Sequence, residues 1–341
     1  MKIIGFYPCL FVLVGIFTHL PARESAPVSE GLVAGESGAV GETAAESFDT
    51  YSKTDPHAWT TREARFPGSN GFGATGDTVP VVISPPEGRL AIVADGNSPD
   101  PDDLGGTAVS LALLRAAGLT ERLVHYSHSC DLVRGDRIAE RAEHERHYLM
   151  QAACDGTARR WGGFDSLTFF DALWEQQETV EDLARAINES SANNPLWIIE
   201  AGEPDIIGLA LEASDFRKHP FVNVLTHHPA NDNAGDFYSW RQILDFGVKE
   251  VRIPDQNLHL KVDLDQWDWA KNHQDPRIQW VWLMGKIAEV DDVVNFQKGK
   301  WDCSDAGMVL YWITGATDGG LELGTVAEVK GLLLDHVRAN P

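Results

Sequence analysis

The chain has 341 residues and carries 51 acidic against 28 basic side chains, which gives a formal charge of −23. So negative a protein repels phosphate backbones and anionic lipid heads, which argues against nucleic-acid and membrane binding. A neutral sugar or a cation suits this charge better. The length is sufficient for one sizeable domain with a full hydrophobic core.

The first 88 residues differ in composition from the rest of the chain. Lys2, an apolar stretch ending near Leu20 and a following Pro-Ala pair predict a signal peptide over residues 1–22. No second long apolar run follows, so the sequence predicts no membrane anchor. Residues 23–88 are interpreted as an acidic linker rich in Gly, Ala, Ser and Pro, with an irregular lead-in. We therefore expect an exported protein, secreted or periplasmic, whose domain spans residues 89–341.

Three cysteines remain after the predicted cleavage, namely Cys130, Cys154 and Cys303. This odd number indicates that no disulfide framework holds the domain together. One bridge is left open, and the sequence does not decide which two cysteines would form it. A homo-oligomer is left open in the same way.

Apolar runs and amphipathic segments alternate along the domain. The predicted strands are 90–94, 122–127, 196–200, 221–225 and 248–253. The predicted helices between them are 107–117, 137–153, segments within 165–192, 204–213 and 240–246, and further helices cover 280–287, 305–314 and 325–339. This alternation predicts an α/β fold with a mostly parallel sheet, helices on both of its faces and a helical C-terminal part.

The segment Asp95–Asp103 places four carboxylates and the amide of Asn97 directly after the first predicted strand. Open α/β sheets bind their ligands at the carboxyl ends of their strands. Oxygen ligands without a nearby Cys or His select a hard cation, Ca²⁺ before Mg²⁺. The alternative is an acidic turn that only caps the following helix, since Asp at a helix N-terminus satisfies free N–H groups.

A second group of polar residues follows the predicted strand 221–225. A parallel sheet would bring this loop to the edge where the acidic segment lies. His227 is a candidate general acid, because a His pKa is readily moved near the working pH. The candidate substrate contacts in this loop are His228, Asn231, Asn233 and Asp236. The alternative is a polar loop that simply turns the chain.

Three segments together resemble the nucleoside hydrolase-like superfamily. Asp100-Pro101-Asp102-Asp103 is similar to the signature D-x-D-P-G-x-D-D, and closer to the form D-x-x-x-D-P-D-D of nucleoside-hydrolase-like domains linked to polysaccharide-degrading bacteria. Ile199–Leu211 resembles the family's strand followed by G-P-L-T-N-x-A-L-A-L, and Cys303–Leu310 resembles its late H-D-A-x-A-V segment. The resemblance implies a nucleoside hydrolase-like fold that binds Ca²⁺ and cleaves an N- or O-glycosidic bond.

The resemblance also implies roles for individual residues. Asp103 matches the ion-chelating Asp, and Asp102 matches the Asp that engages sugar hydroxyls, which we also count among the metal ligands. Asp305 matches the late Asp that completes the Ca²⁺ shell, and Ala201 matches the residue whose backbone carbonyl binds the ion. In that chemistry a carboxylate takes a proton from an ion-bound water, which attacks the anomeric carbon.

The chain departs from the signature at the base. Its loop is one residue longer, and Asn97 stands where the family has the Asp that chelates and acts as base. A neutral amide cannot take up a proton, so Asn97 is expected to contact substrate instead. Asp100, whose backbone is restricted by a proline on each side, is the preferred base, and Asp95 is the next candidate.

A second departure concerns the substrate. Ser304 stands where nucleoside-specific members have a His that protonates the leaving base, which favours an oxygen-linked sugar over a nucleoside. The first hypothesis is therefore an exported Ca²⁺-dependent glycosidase that acts on a small sugar or oligosaccharide. The alternatives are a non-catalytic carbohydrate-binding protein that lost its base, and an exported nucleoside hydrolase.

Overall fold

The computed structural model describes residues 78–97, 102–134, 138–290, 297–315 and 321–341. The predicted signal peptide, most of the predicted linker and Asp100 lie outside the described residues. Within the described part of the chain, no helix has the length and apolar character needed to cross a membrane.

Eight strands are present among the described residues. They are β1 Arg89–Ala94, β2 Leu123–His128, β3 Phe169–Asp171, β4 Leu196–Ala201, β5 Val222–Thr226, β6 Lys249–Arg252, β7 Lys261–Asp263 and β8 Lys300–Asp302. The first six form one sheet in the order β3-β2-β1-β4-β5-β6. Every neighbouring pair in this sheet is parallel. The small pair β7-β8 is antiparallel.

The helices lie between and after the strands. They are α1 Asp103–Ala116, α2 Glu140–Trp161, α3 Gln176–Asn188, α4 Asp205–Ala213, α5 Pro229–Asp232, α6 Trp240–Asp245, α7 Asn257–Leu260, α8 Asp268–Lys271, α9 Pro276–Val290, α10 Ala306–Ile313 and α11 Val326–Ala339. Short 3₁₀ helices cover Thr120–Arg122, Phe216–Phe221 and Leu264–Trp267. The predicted α/β fold with a helical C-terminal part is confirmed.

Both faces of the sheet are covered by hydrophobic core, which explains the uninterrupted apolar run of β1. Leu90 and Ile92 point into a core shared with the C-terminal helices. Ala91 and Val93 point the other way, into a core shared with α3 and α4. Successive side chains of a strand alternate between its faces, so a strand buried on both sides is apolar at every position.

Several elements differ from the prediction, among them β7 and β8, which were not predicted. Helix α1 begins at Asp103 rather than at residue 107, and its first turn is buried, so Asp103 belongs to the helix. The segment 165–192 was predicted as helical, but it also contains the three-residue edge strand β3. A strand this short carries no measurable alternation of polar and apolar residues.

The last part of the predicted lead-in packs on the domain without forming a helix or strand. The backbone N–H of Val79 donates to Ala327 and that of Ser84 to Ile313. The three cysteines of the domain are buried and free, so none of them forms the disulfide bridge that the sequence left open.

Candidate functional site

Three carboxylates meet at the carboxyl end of β1. Asp95 directly follows the strand, Asp102 is the N-cap residue of α1, and Asp103 opens that helix. Each offers an oxygen, and these atoms lie within 4.8 Å of one another. The side chain of Asp102 makes no capping hydrogen bond, so a purely capping turn does not explain its position.

A fourth carboxylate reaches this group from the far end of the chain. Asp305 is the N-cap residue of α10, and its side chain makes no capping hydrogen bond either. A Cβ placed on Gly106 in the first turn of α1 would lie 3.6 Å from Asp305 Cβ and 3.8 Å from its Oδ2. Asp305 therefore stands beside the first turn of α1, next to Asp103.

The environment of Asp103 disfavours its negative charge. The residue is 3% exposed. Burial and the neighbouring carboxylates of Asp95 and Asp305 raise the pKa of Asp103 well above its ordinary value. Either a proton or a cation must compensate these charges. An oxygen-only donor set of this kind fits a hard divalent cation, to which Asp95, Asp102, Asp103 and Asp305 would contribute ligands.

The ends of β1 and β4 are held together next to these carboxylates. The backbone N–H of Asp95 donates to the carbonyl of Ala201 at 2.9 Å. Gly202 has a φ of +153°. A Cβ at this glycine would come within 2.8 Å of Asp95 Cβ and of Cys130 Sγ. The carbonyl oxygen of Ala201 thus accepts a hydrogen bond from the backbone of Asp95. Its role as an ion ligand stays a prediction.

Asn97 is fully buried and bonds to the loop after β2. Its Nδ2 donates to the carbonyl of Asp131 at 2.9 Å, and its Oδ1 accepts from the Asp131 N–H at 3.3 Å. The amide therefore ties two loops at the carboxyl edge of the sheet. Its predicted contact with substrate stays a prediction.

His227 is brought to the acidic group, as the sequence predicted. The ring is 4% exposed, and its Nε2 lies 3.1 Å from Asp305 Oδ1. Burial lowers its pKa, but the carboxylates of Asp255 and Asp305 outweigh burial and raise the pKa to about 9. The Gln256 N–H points at Nδ1 from 3.2 Å, closer than the Asp255 oxygen at 3.7 Å. In the neutral ring Nε2 carries the proton and donates to Asp305, whereas in the charged ring that the raised pKa favours Nδ1 is protonated as well and faces Asp255.

The remaining predicted contacts lie further out on the loop after β5. His228 is partly exposed, and its Nδ1 accepts from the Ala230 N–H. Asn233 and Asp236 are exposed, whereas Asn231 is half-buried. The carboxylate of Asp205 accepts the N–H groups of Asp236 and of the two residues after it, which fixes this loop. Substrate contact by these residues stays a prediction.

Sequence reasoning missed a second acidic pair, formed by Asp131 after β2 and Glu203 after β4. Burial, Asp95 and Glu203 raise the pKa of Asp131 well above its ordinary value. Burial and Asp95 raise the pKa of Glu203 to about 8, against a hydrogen bond with Asp131 that lowers it. Only the sheet order, which places β1 between β2 and β4, brings these two side chains to Asp95.

The Glu203 carboxyl should make the metal-free protein less stable as the pH rises. Its pKa of about 8 in the folded protein exceeds the ordinary value of 4.5. The folded chain therefore binds more protons than the unfolded chain between these values, so stability is lost as the pH rises through them. We expect Glu203→Gln to flatten the fall of Tm with pH, measured by circular dichroism in EDTA.

The control for this experiment is Glu121→Gln, which removes one exposed carboxylate of the same type. It should leave the pH dependence of Tm as in the wild type. A Glu203→Gln variant whose Tm falls with pH as steeply as that of the wild type would contradict the assignment.

Taken together, the fold and the site define an α/β protein with a carboxylate-rich site at the carboxyl edge of its parallel sheet. No family model matches the chain. The uncharacterized protein P22 of Formosa agariphila is 73% identical over 263 residues, which make up 77% of this chain and 97% of that protein. The chain belongs to the same family as P22.

One solved structure is also similar, the plant nucleoside hydrolase PpNRh1. The TM-score is 0.41 at 11% sequence identity, over 67% of this chain and 79% of that chain. At this TM-score the likeness carries no argument about activity, which has to rest on the residues of the site.

Proposed function

We propose that the protein is an exported, Ca²⁺-dependent hydrolase of a glycosidic bond, acting on a small sugar or oligosaccharide. The observation that carries the proposal is the meeting of Asp95, Asp102 and Asp103 with Asp305, which comes from a distant segment. Acidic side chains that repel one another this strongly are retained at low cost when a cation binds them.

The residues can be given roles in such a reaction. A bound hard cation supplies the acidity that makes water a nucleophile at neutral pH. Asp95 lies beside Asp103 and is the described carboxylate placed to accept a proton, while Asp100 keeps its predicted role outside the described residues. His227 holds Asp305 through Nε2. The loop after β5 and Asp102 would bind sugar hydroxyls.

The alternative is a carbohydrate-binding protein without catalysis. The burial of Asn97 favours it, because the amide that replaces the family's base is engaged with the Asp131 backbone. Titration calorimetry separates the two functions. Sugar binding without turnover supports the alternative, whereas turnover supports the hydrolase.

Removal of the Asp95 carboxylate should slow hydrolysis strongly. With the wild-type protein we expect sugar release from a panel of O-glycosides and nucleosides in Ca²⁺ and none in EDTA. Asp95→Asn keeps the shape but cannot accept a proton, so its rate should fall by about 10²–10⁴, the usual contribution of a general base. Release is measured as reducing sugar formed.

The matched control is Asp263→Asn, since Asp263 is exposed and paired with Lys300 on the antiparallel β7-β8 pair. It should retain the wild-type rate. A folded, Ca²⁺-loaded wild-type protein that is inert on the whole panel would count against the hydrolase. A fully active Asp95→Asn variant would remove Asp95 from the reaction.

A further inference from the structure

An exposed aromatic pair lies at the same edge of the sheet as the acidic site. Trp174, just after β3, is 46% exposed, and Tyr148 on α2 is 68% exposed. Their ring centroids are 5.4 Å apart at an interplanar angle of 66°. Large aromatic side chains usually bury their area, so two that stay exposed together at a sheet edge mark a binding surface.

The indole of Trp174 is held in place by a buried histidine that stacks on it. Its ring stacks on the buried ring of His147, with centroids 4.2 Å apart and planes within 12°. His147 Nδ1 bonds to Asp171 Oδ2 at 2.5 Å, and Asp171 Oδ1 accepts the backbone N–H of Trp174 at 3.1 Å. A buried His–Asp pair thus fixes both the ring and the backbone of an exposed tryptophan.

This support leaves nearly half of Trp174 exposed. His147 covers one face by parallel stacking, whereas the rings of His144 and Tyr148 are inclined to the indole plane by 83° and 66°. Trp174 nevertheless remains 46% exposed, so a large part of the stacked indole is accessible to a ligand. A rigid, open, flat face loses little conformational entropy when a ligand stacks on it. Among the described residues, no hydrogen-bond donor reaches the buried Nε2 of His147.

The aromatic platform, by which we mean Trp174 and Tyr148, adjoins the acidic loop through α2. Glu143, His147 and Met150 share one face of that helix, since residues three and four apart are neighbours on a helix. Glu143 Oε1 lies 3.4 Å from Asn97 Nδ2. Met150 Sδ lies 2.5 Å from where a Cβ on Gly96 would be. His147, which carries Trp174, lies between these two contacts.

We propose that the Trp174–Tyr148 platform is a subsite that stacks an uncharged sugar ring of an oligosaccharide extending from the acidic site. The apolar C–H face of a sugar ring matches an open indole, and its hydroxyls remain available to the polar groups around it. The negative protein, with Glu175 next to the platform, selects against anionic sugars. This inference rests on the proposed function and names its substrate class.

The test is titration calorimetry of the full chain with cellohexaose and xylohexaose as neutral probes and pentagalacturonate as the anionic probe. Trp174→Ala should weaken binding of a neutral hexasaccharide by about tenfold or more. Trp174→Phe keeps an aromatic face and should retain most of the affinity. Phe216→Ala removes a 75% exposed aromatic side chain that precedes β5, at the opposite edge of the sheet, and should bind like the wild type.

Several results would overturn the subsite. The first is failure of the wild type to bind either neutral hexasaccharide. The second is a Trp174→Ala variant that binds as well as the wild type. The third is tighter binding of pentagalacturonate than of the neutral probes. Failure of the proposed function gives a different result, namely Trp174-dependent binding of a hexasaccharide with no hydrolysis. If Trp174→Ala hydrolyses a short glycoside at the wild-type rate and also binds the hexasaccharides as well as the wild type, the proposed hydrolase is supported and the proposed subsite is contradicted.

Discussion

Asp103→Asn is expected to raise the stability of the metal-free protein and to weaken its stabilisation by Ca²⁺ strongly. The carboxyl of Asp103 is buried beside Asp95 and Asp305, which raise its pKa. An amide of the same shape removes this repulsion and can still donate a hydrogen bond to Asp95. It cannot supply the anionic oxygen that a hard cation prefers. The two effects have opposite signs, which a general loss of structure cannot produce.

The measurement is Tm by differential scanning fluorimetry in EDTA and across a Ca²⁺ titration, with affinity from calorimetry. A cation present at a hundred times its Kd stabilises the wild type by about 2.7 kcal/mol. Asp103→Asn should show a higher Tm than the wild type in EDTA and a Ca²⁺ affinity lower by about 100-fold.

Asp263→Asn again serves as the control, since it removes an exposed carboxylate at another place. It should leave both the Tm in EDTA and the Ca²⁺ response unchanged. An Asp103→Asn protein with the full wild-type Ca²⁺ response would show that Asp103 is not a ligand. A lower Tm of Asp103→Asn than of the wild type in EDTA would show that other groups of the protein stabilise the Asp103 carboxyl without a cation.

The fold was predictable from the sequence where a segment is buried on both sides. Residues 90–94 of β1 and 196–199 of β4 are apolar runs because each strand lies in the middle of the sheet with core on both faces, although β4 also carries the buried Glu200 near its end. β3 was not predictable, because it has three residues at the sheet edge, and only its pairing with β2 defines it. The antiparallel pair of β7 and β8 was missed because each strand also has only three residues.

The local part of the site was predictable as well. Asp95, Asp102 and Asp103 lie within one short segment, and a strand followed by a helix sets their direction. Asp305 was found only through the resemblance of its segment to a known motif, since spacing alone does not relate two ends of a chain. Their meeting depends on the packing of α10 against α1.

The second acidic pair and the aromatic platform could not be predicted. Asp131 and Glu203 each look like an ordinary polar residue beyond a strand, and only the strand order joins them. Trp174 follows a strand that the sequence did not reveal, and its partner His147 lies on another element. In both cases the signal is a contact between segments with no common sequence pattern.

Gly202→Ala is expected to destabilise the protein and to weaken Ca²⁺ binding together. A Cβ at residue 202 would lie 2.8 Å from the backbone N and the Cβ of Asp95 and 2.8 Å from Cys130 Sγ, at a φ of +153°. The backbone of Asp95 cannot yield without losing its hydrogen bond to Ala201. Strain and overpacking of this kind cost about 2–4 kcal/mol. Because Asp95 itself must move, the carboxylate group loses its geometry.

Gly247→Ala separates the two causes. Gly247 also has a positive φ, of +88°, but a Cβ there would meet no atom within 4 Å. This variant should lose about 1 kcal/mol from backbone strain alone and bind Ca²⁺ like the wild type. The comparison uses urea unfolding in EDTA for stability and calorimetry for Ca²⁺. Equal losses of stability in both variants, with Ca²⁺ affinity unchanged in both, would mean that the close approach of β4 to Asp95 does not shape the site. A larger loss in Gly202→Ala, with weaker Ca²⁺ binding, would show that the contact between the two strand ends positions the Asp95 carboxylate.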